Sequence, residues 1–194
     1  MNPAVVSKPH IFRESLARSH AAEDLPLWEE VYRKAFPTMV SMANHRQDGY
    51  HQRLGIDRSI TLANAKQILI DEKFRGRNEK TGKVYDDIAL EYLSNRDRNI
   101  PGWVCKSLLA DYIAYAIGPL GKCYLLPVLQ LQQAWKNNSR TWLKAYQQIP
   151  AQNEGWVTMS LCLPVPVLFK AIGNCLRIEF SPFDICEETP GEEW

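Results

Sequence analysis

The chain has no C-x-x-C pair, and its five cysteines (Cys105, Cys123, Cys162, Cys175, Cys186) are odd in number and widely spaced. That pattern suits neither a zinc knuckle nor a disulfide framework. Four of the five sit in apolar context, as buried reduced thiols do. No apolar run approaches the roughly 18 residues of a membrane span, and the first twenty residues lack the apolar core of a signal peptide. A cytoplasmic protein with no membrane partner is therefore expected. The four histidines (His10, His20, His45, His51) form neither H-x-x-H nor H-E-x-x-H, so a zinc hydrolase has no support. G-x-x-x-x-G-K-[ST], G-x-S-x-G and G-x-G-x-x-G are also missing. Their absence removes any motif-based case for a P-loop ATPase, an α/β-hydrolase or a dinucleotide enzyme.

What is present is ordinary in bulk and uneven in placement. With 194 residues, 45% apolar and 23% charged, the chain suits one globular domain with a proper core. The net charge of +1 conceals an asymmetry. Five of the 22 acids lie in the last eleven residues, which hold no base, so the remaining chain sets 23 bases against 17 acids. Residues 45–83 carry nine Lys/Arg against five acids. Such a segment suits a polyanionic partner, and equally an ordinary solvated face.

Residues 1–23 read as a loosely docked arm, 24–182 as one domain and 183–194 as an acidic tail. Asp24 is placed to cap a helix, with Pro26 in its first turn and Glu29 and Glu30 at its positive end. Its apolar stripe is Leu27, Trp28, Val31, Tyr32, Ala35 and Phe36, and Pro37 stops it. From about residue 50 the period falls to two, which predicts strands over 53–62, 66–75 and 87–94 joined as an antiparallel meander. Further strands are expected at 111–118, 122–126 and 156–163, with an edge strand at 176–180. Helical period runs from Pro127 to Ile149, and a short helix follows from Pro164 to Gly173. The class is α+β, built on a largely antiparallel central sheet flanked by helices.

The stretch ILIDEKFR (68–75) is where this pattern meets chemistry. Asp71 and Lys73 are two apart on a strand and share a face, while Glu72 points the other way with Ile70 and Phe74. If strands 53–62 and 66–75 pair about Asn64, opposite residues have numbers adding to about 128, which sets Asp57 beside Asp71. Two carboxylates and an ammonium so placed suit metal-assisted phosphodiester hydrolysis. Mg²⁺ needs only one or two carboxylates besides substrate phosphate and water, and the ammonium supplies a compact charge for the phosphate. Composition alone yields about one acid-x-Lys triplet in such a chain; the context is what distinguishes this one.

A helix acid, an Asp on an early strand and (D/E)-x-K on the next resemble the PD-(D/E)XK superfamily, the restriction-endonuclease-like nucleases, which include phage and prophage enzymes. The resemblance covers residues 28–94. It implies a restriction-endonuclease-like core, DNA (branched or single-stranded forms included) as substrate, and Mg²⁺ or Mn²⁺ as cofactor. By the same resemblance Asp57, Asp71 and the Glu72 backbone carbonyl are metal ligands, Lys73 is catalytic, and Glu29 or, preferably, Glu30 is the helix acid. Many members cut as dimers, which makes a homodimer one expectation. Others bind nucleic acid without cutting, so an accessory binding protein is the alternative. Ile56 stands where the superfamily often has Pro.

Other residues have two readings. Glu91, on the 87–94 strand beside that of Asp71, is either a third acid or a surface residue. Arg58, Arg75 and Arg77 are either phosphate contacts or solvated charges. Trp103 suits a base-stacking platform less than the core, and Trp135, Trp142 and Tyr146 share a helix face.

Overall fold

The structure, a computed structural model, describes residues 26–78, 81–153, 155–173 and 175–183. Asp24, Cys186, the 1–23 arm and the tail from 184 onward lie outside the described residues. Helix α1 (Leu27–Ala35) presents Leu27, Trp28, Val31 and Tyr32 to the interior. Strand β1 (Met39–Asn44) and a five-residue helix α2 (Gly49–Arg53) follow. Next come β2 (Arg58–Leu62), β3 (Gln67–Arg75), β4 (Asp87–Asn95), β5 (Ile100–Pro101), β6 (Tyr112–Ile117) and β7 (Lys122–Pro127). The chain continues through α3 (Val128–Ala145), β8 (Gln148–Gln152), β9 (Val157–Pro164), α4 (Val165–Ile172) and β10 (Leu176–Glu179). No helix among the described residues is long and apolar enough to cross a membrane.

The strands form two sheets, one in the order β1-β2-β3-β6-β7-β10 and the other β5-β4-β9-β8. The α+β class holds, and β10 is the expected edge. The central sheet, however, is mixed: β3 and β6 run parallel, while its other junctions are antiparallel. The expected meander of three consecutive strands is also corrected, because β4 leaves β3 and pairs with β5 and β9. Alternation gives a strand's faces but not its neighbour. Here β6, whose six residues are almost wholly buried, takes the place beside β3.

Strand β6 explains why both faces of the sheet are covered. Ala114 and Ala116 join Ile60, Ile70, Cys123 and Leu125 beneath α1. Ile113, Tyr115 and Ile117 face a second core shared with Ile88, Leu90, Leu131, Trp135 and Leu161. A strand buried on both sides reads as continuous apolar sequence. Burying each large aliphatic side chain contributes about 1.5–3 kcal/mol. Trp103, Trp135 and Trp142 belong to the second core. Of the cysteines, Cys123 and Cys162 are buried and Cys105 is exposed, all as free thiols.

Two boundaries differ from the sequence pattern. The strand expected from 53 begins only at 58, because Asp48 caps the short helix α2 by accepting from the Tyr50 amide. The helix expected to reach Ile149 ends at Ala145, and Gln148–Gln152 instead forms an exposed strand on β9. Phe183 packs on Phe74 and Phe180, so the body extends at least that far.

Candidate active site

The β2–β3 register is the one that the numbering implies, with Arg58 opposite Ile70 and Ile60 opposite Ile68. One residue before β2, Asp57 donates its amide to the Ile70 carbonyl (2.8 Å) and accepts the His45 amide at its own carbonyl (2.8 Å). Its side-chain Oδ2 accepts the Glu72 amide at 2.7 Å. Asp57 is thereby clamped where β2 starts, beside Asp71. Gly55 makes the approach feasible: its φ is +69°, and a Cβ there would collide with Leu108.

Asp71 is buried, and Lys73 donates its ammonium to Asp71 Oδ1 and to the Glu72 carbonyl (3.3 Å). Burial, the largest influence, pushes the Asp71 carboxyl up to about 6; Lys73 opposes that rise and Asp57 adds to it. Burial would raise Asp57 as well, but Lys73 and then Arg46 hold it below the usual carboxylate range. Lys73 lies above the ordinary lysine value because Asp71 and Asp57 outweigh its desolvation. The two aspartates are thus inequivalent: Asp57 is the readily ionised one, and Asp71 keeps a proton more tightly.

On the opposite face of β3, the Glu72 carboxylate is fully committed. It accepts from Tyr32 Oη at 2.6 Å, Arg58 Nε at 2.6 Å and Arg46 Nη2 at 3.0 Å. Arg46 Nη2 also lies 3.7 Å from Asp57 Oδ2, which links the buried cage to the site. Arg46 and Tyr32 were not singled out as site residues from sequence. Tyr32 lies in the apolar stripe of α1, and nothing local marks Arg46.

The structure places several expected site residues elsewhere. Glu30 pairs with Lys34 at 2.7 Å, and Lys34 also donates to the Glu179 carbonyl on β10. Its helix covers the face of the sheet opposite to Asp71 and Lys73. Glu29 pairs with Arg33. Arg58 is buried against Glu72, and Arg75 donates to the Asp87 side chain and its carbonyl (2.9 Å). Arg77 is exposed and donates to the Gly82 carbonyl. Much of the positive charge of 45–83 is therefore spent inside the molecule, while Arg53, Lys66, Arg77 and Lys83 remain exposed.

Glu91 is not on a strand adjacent to β3, as the meander implied, but on β4 in the second sheet, opposite Ser160 of β9. Burial raises its carboxyl, opposed by the charges of Lys73 and Lys106. His45 and His51 stack at 4.1 Å between ring centroids, with His45 Nε2 2.7 Å from Ser59 Oγ and His51 Nδ1 2.6 Å from Asp48. His45 follows β1 directly, and its backbone amide donates to the Asp57 carbonyl.

The donor set is one of hard oxygens, which suits Mg²⁺ or Mn²⁺ rather than a softer metal. Among the described residues no group of three or more His, Cys, Asp or Glu is placed to hold a metal ion. An open pair of carboxylates with a carbonyl still fits Mg²⁺, which keeps waters and takes substrate oxygens. The Lys73 ammonium supports the fit, since a cationic group already stands against Asp71 and the Glu72 carbonyl. No protein-family model, curated protein or solved structure matches the chain.

Proposed function

We propose that the chain is a divalent-metal-dependent nuclease on a restriction-endonuclease-like core, hydrolysing phosphodiester bonds in DNA. The observation that carries this reading is the meeting of Asp57, Asp71 and Lys73 on one face of the central sheet, in the register of β2 against β3. Asp57, Asp71 and the Glu72 carbonyl would hold the cation. When bound, Mg²⁺ or Mn²⁺ lowers the pKa of water and neutralises phosphate charge. Lys73 supplies a half-buried ammonium for the phosphate oxygens, whose attraction is strengthened by partial exclusion of water. The Glu72 amide fixes the orientation of Asp57, and the charges of Lys73 and then Arg46 favour its ionised form. Glu30, tied to Lys34, has no part in this assignment. The exposed cations Arg53, Lys66, Arg77 and Lys83 offer contacts to a phosphate backbone.

Incubating plasmid and branched DNA with Mg²⁺ or Mn²⁺ tests the assignment, with wild type beside Lys73→Ala and Asp71→Ala. Wild-type protein is expected to cut, and each variant to lose at least roughly a hundredfold in rate. Variants that fold and cut as wild type would overturn the roles. A wild type that neither cuts nor gains thermal stability from the metal would favour the alternative, a non-catalytic nucleic-acid-binding protein.

A further inference from the structure

Next to Asp57 the surface carries a row of rings for which a metal site has no use. Among the described residues β1 is the margin of the central sheet, and its register with β2 sets Asn44 opposite Arg58. The next residue, His45, donates its amide to the Asp57 carbonyl at 2.8 Å. Ser59 stands opposite Leu69, and the pleat puts Leu69, Asp71 and Lys73 on one face. His45 Nε2 lies 2.7 Å from Ser59 Oγ, which brings the imidazole to that same face. His51 stacks on His45 at 4.1 Å between centroids, with the planes 16° apart. Tyr50 in turn meets His51 at 5.5 Å, almost at right angles. The row thus leads outward from Ser59 and ends at Tyr50, which is 62% exposed.

The row is held from behind. Asp48 accepts the Tyr50 amide at 2.8 Å and lies 2.6 Å from His51 Nδ1. The Gln52 side chain donates to the Arg46 carbonyl. The amide of Ile56, one residue before Asp57, donates to the His51 carbonyl at 3.0 Å. A ligand meeting Tyr50 would therefore find its backbone already fixed, which lowers the ordering cost of binding. The charge around it favours an anion. Asp48 is the one acid between residues 45 and 56, and its carboxylate is engaged by Tyr50 and His51. Arg53 is exposed one turn after Tyr50 on α2 and has no carboxylate partner among the described residues. A solitary exposed tyrosine needs no explanation. One that ends a fixed ring stack, beside an unspent guanidinium and bonded through its neighbours to Asp57, supplies what a nucleotide needs: a ring for the base and a cation for the phosphate.

We propose that Tyr50 is a stacking platform for an unpaired base of the DNA strand whose phosphate the aspartate pair receives, with Arg53 on an adjoining phosphate. Paired bases show a protein only their edges in the grooves, so a base that stacks on a side chain has left the duplex. This inference rests on the nuclease reading above and narrows its substrate to DNA with unpaired nucleotides beside the cut.

Fluorescence polarisation of three labelled probes, titrated with the full chain while metal is chelated, tests this. The probes are an oligothymidylate, an abasic oligomer of the same length and a blunt duplex. Wild type is expected to hold the oligothymidylate most tightly. Tyr50→Ala and Tyr50→Leu should each weaken that complex by roughly tenfold and leave the abasic one unchanged. Tyr50→Phe, which keeps the ring, should bind as wild type. Arg53→Gln should weaken both oligomers alike and flatten their salt dependence. Wild-type affinity for the oligothymidylate in Tyr50→Ala overturns the inference and leaves the nuclease reading standing. So does a wild type that prefers the duplex. Equal losses on both oligomers, in variants that melt as wild type does, make Tyr50 a backbone contact and also overturn it. A wild type that binds none of the probes removes the nucleic-acid reading itself, and this inference with it.

Discussion

At the scale of single residues, adjacent acids on β3 have opposite fates because the pleat sends them to different surroundings. Glu72 meets two guanidiniums and a phenol, and its side chain is wholly buried among them. Removing its charge would take from Arg46 and Arg58 the buried carboxylate that they share. Glu72→Gln is therefore expected to cost about 3–5 kcal/mol in denaturant unfolding, as in other broken buried pairs, whereas Glu30→Gln at the surface should cost less than about 1 kcal/mol. Asp71 behaves in the contrary sense. Its carboxyl holds a proton up to about 6 in the folded state, against about 3.9 in an unfolded chain. The stability from this group is thus fully present below about pH 4 and lost as pH rises through 6, at most about 3 kcal/mol. Asp57, held low, contributes the opposite dependence in more acidic solution. His45 also opposes Asp71 near neutrality, because burial and then His51 lower its pKa. Comparing metal-free melting temperatures of wild type and Asp71→Asn between pH 5 and 7 separates these effects. The wild type should lose stability relative to the variant as pH rises, and parallel curves would show that Asp71 titrates normally.

At the scale of elements, the parts governed by local pattern were legible in the sequence, and the parts governed by partner choice were not. The stripe from Leu27 to Tyr32 marks α1, and the alternation in 67–75 marks both faces of β3. Asn64 at the turn sets the register that brings Asp57 to Asp71, so the heart of the candidate site could be read from numbering alone. Strand β1 could not, since Met39–Asn44 is mostly exposed and shows no clean alternation. Nor could the departure of β4 to another sheet, which is decided by non-local pairing with β9. Arg58 reads as a phosphate contact or a solvated charge, and nothing in the sequence pairs it with Glu72, because charge in a sequence carries no sign of its buried counterpart. The short helix α2 returns the chain to the sheet through Gly55, in a left-handed conformation against Leu108. Gly55→Ala should cost about 1–3 kcal/mol and weaken Mn²⁺ binding by displacing Asp57. Calorimetry with unchanged affinity would show that the Asp57 clamp does not depend on this turn.

At the scale of the whole molecule, the candidate site lies where the two sheets meet. Strand β6 is the common wall of both cores, with alanines toward α1 and Ile113, Tyr115 and Ile117 toward the second sheet. Arg75 joins β3 to Asp87 on β4, and Tyr115 joins β6 to Ala89 on the same strand. Neither sheet can lose its packing without exposing side chains that the other uses, so one cooperative unfolding transition is expected. A cation bound between Asp57 and Asp71 should accordingly stabilise the entire body. At a free concentration one hundred times the dissociation constant the gain is about 2.7 kcal/mol, which for a chain of this size raises the melting temperature by roughly 5–10 °C. Calorimetric melting with and without Mn²⁺ checks both statements together. A single endotherm that moves as a whole would mean that the metal site and both sheets form one thermodynamic unit. Two endotherms, with only one responding to metal, would mean that the second sheet unfolds independently, and the coupling attributed to Arg75 and Tyr115 would fall.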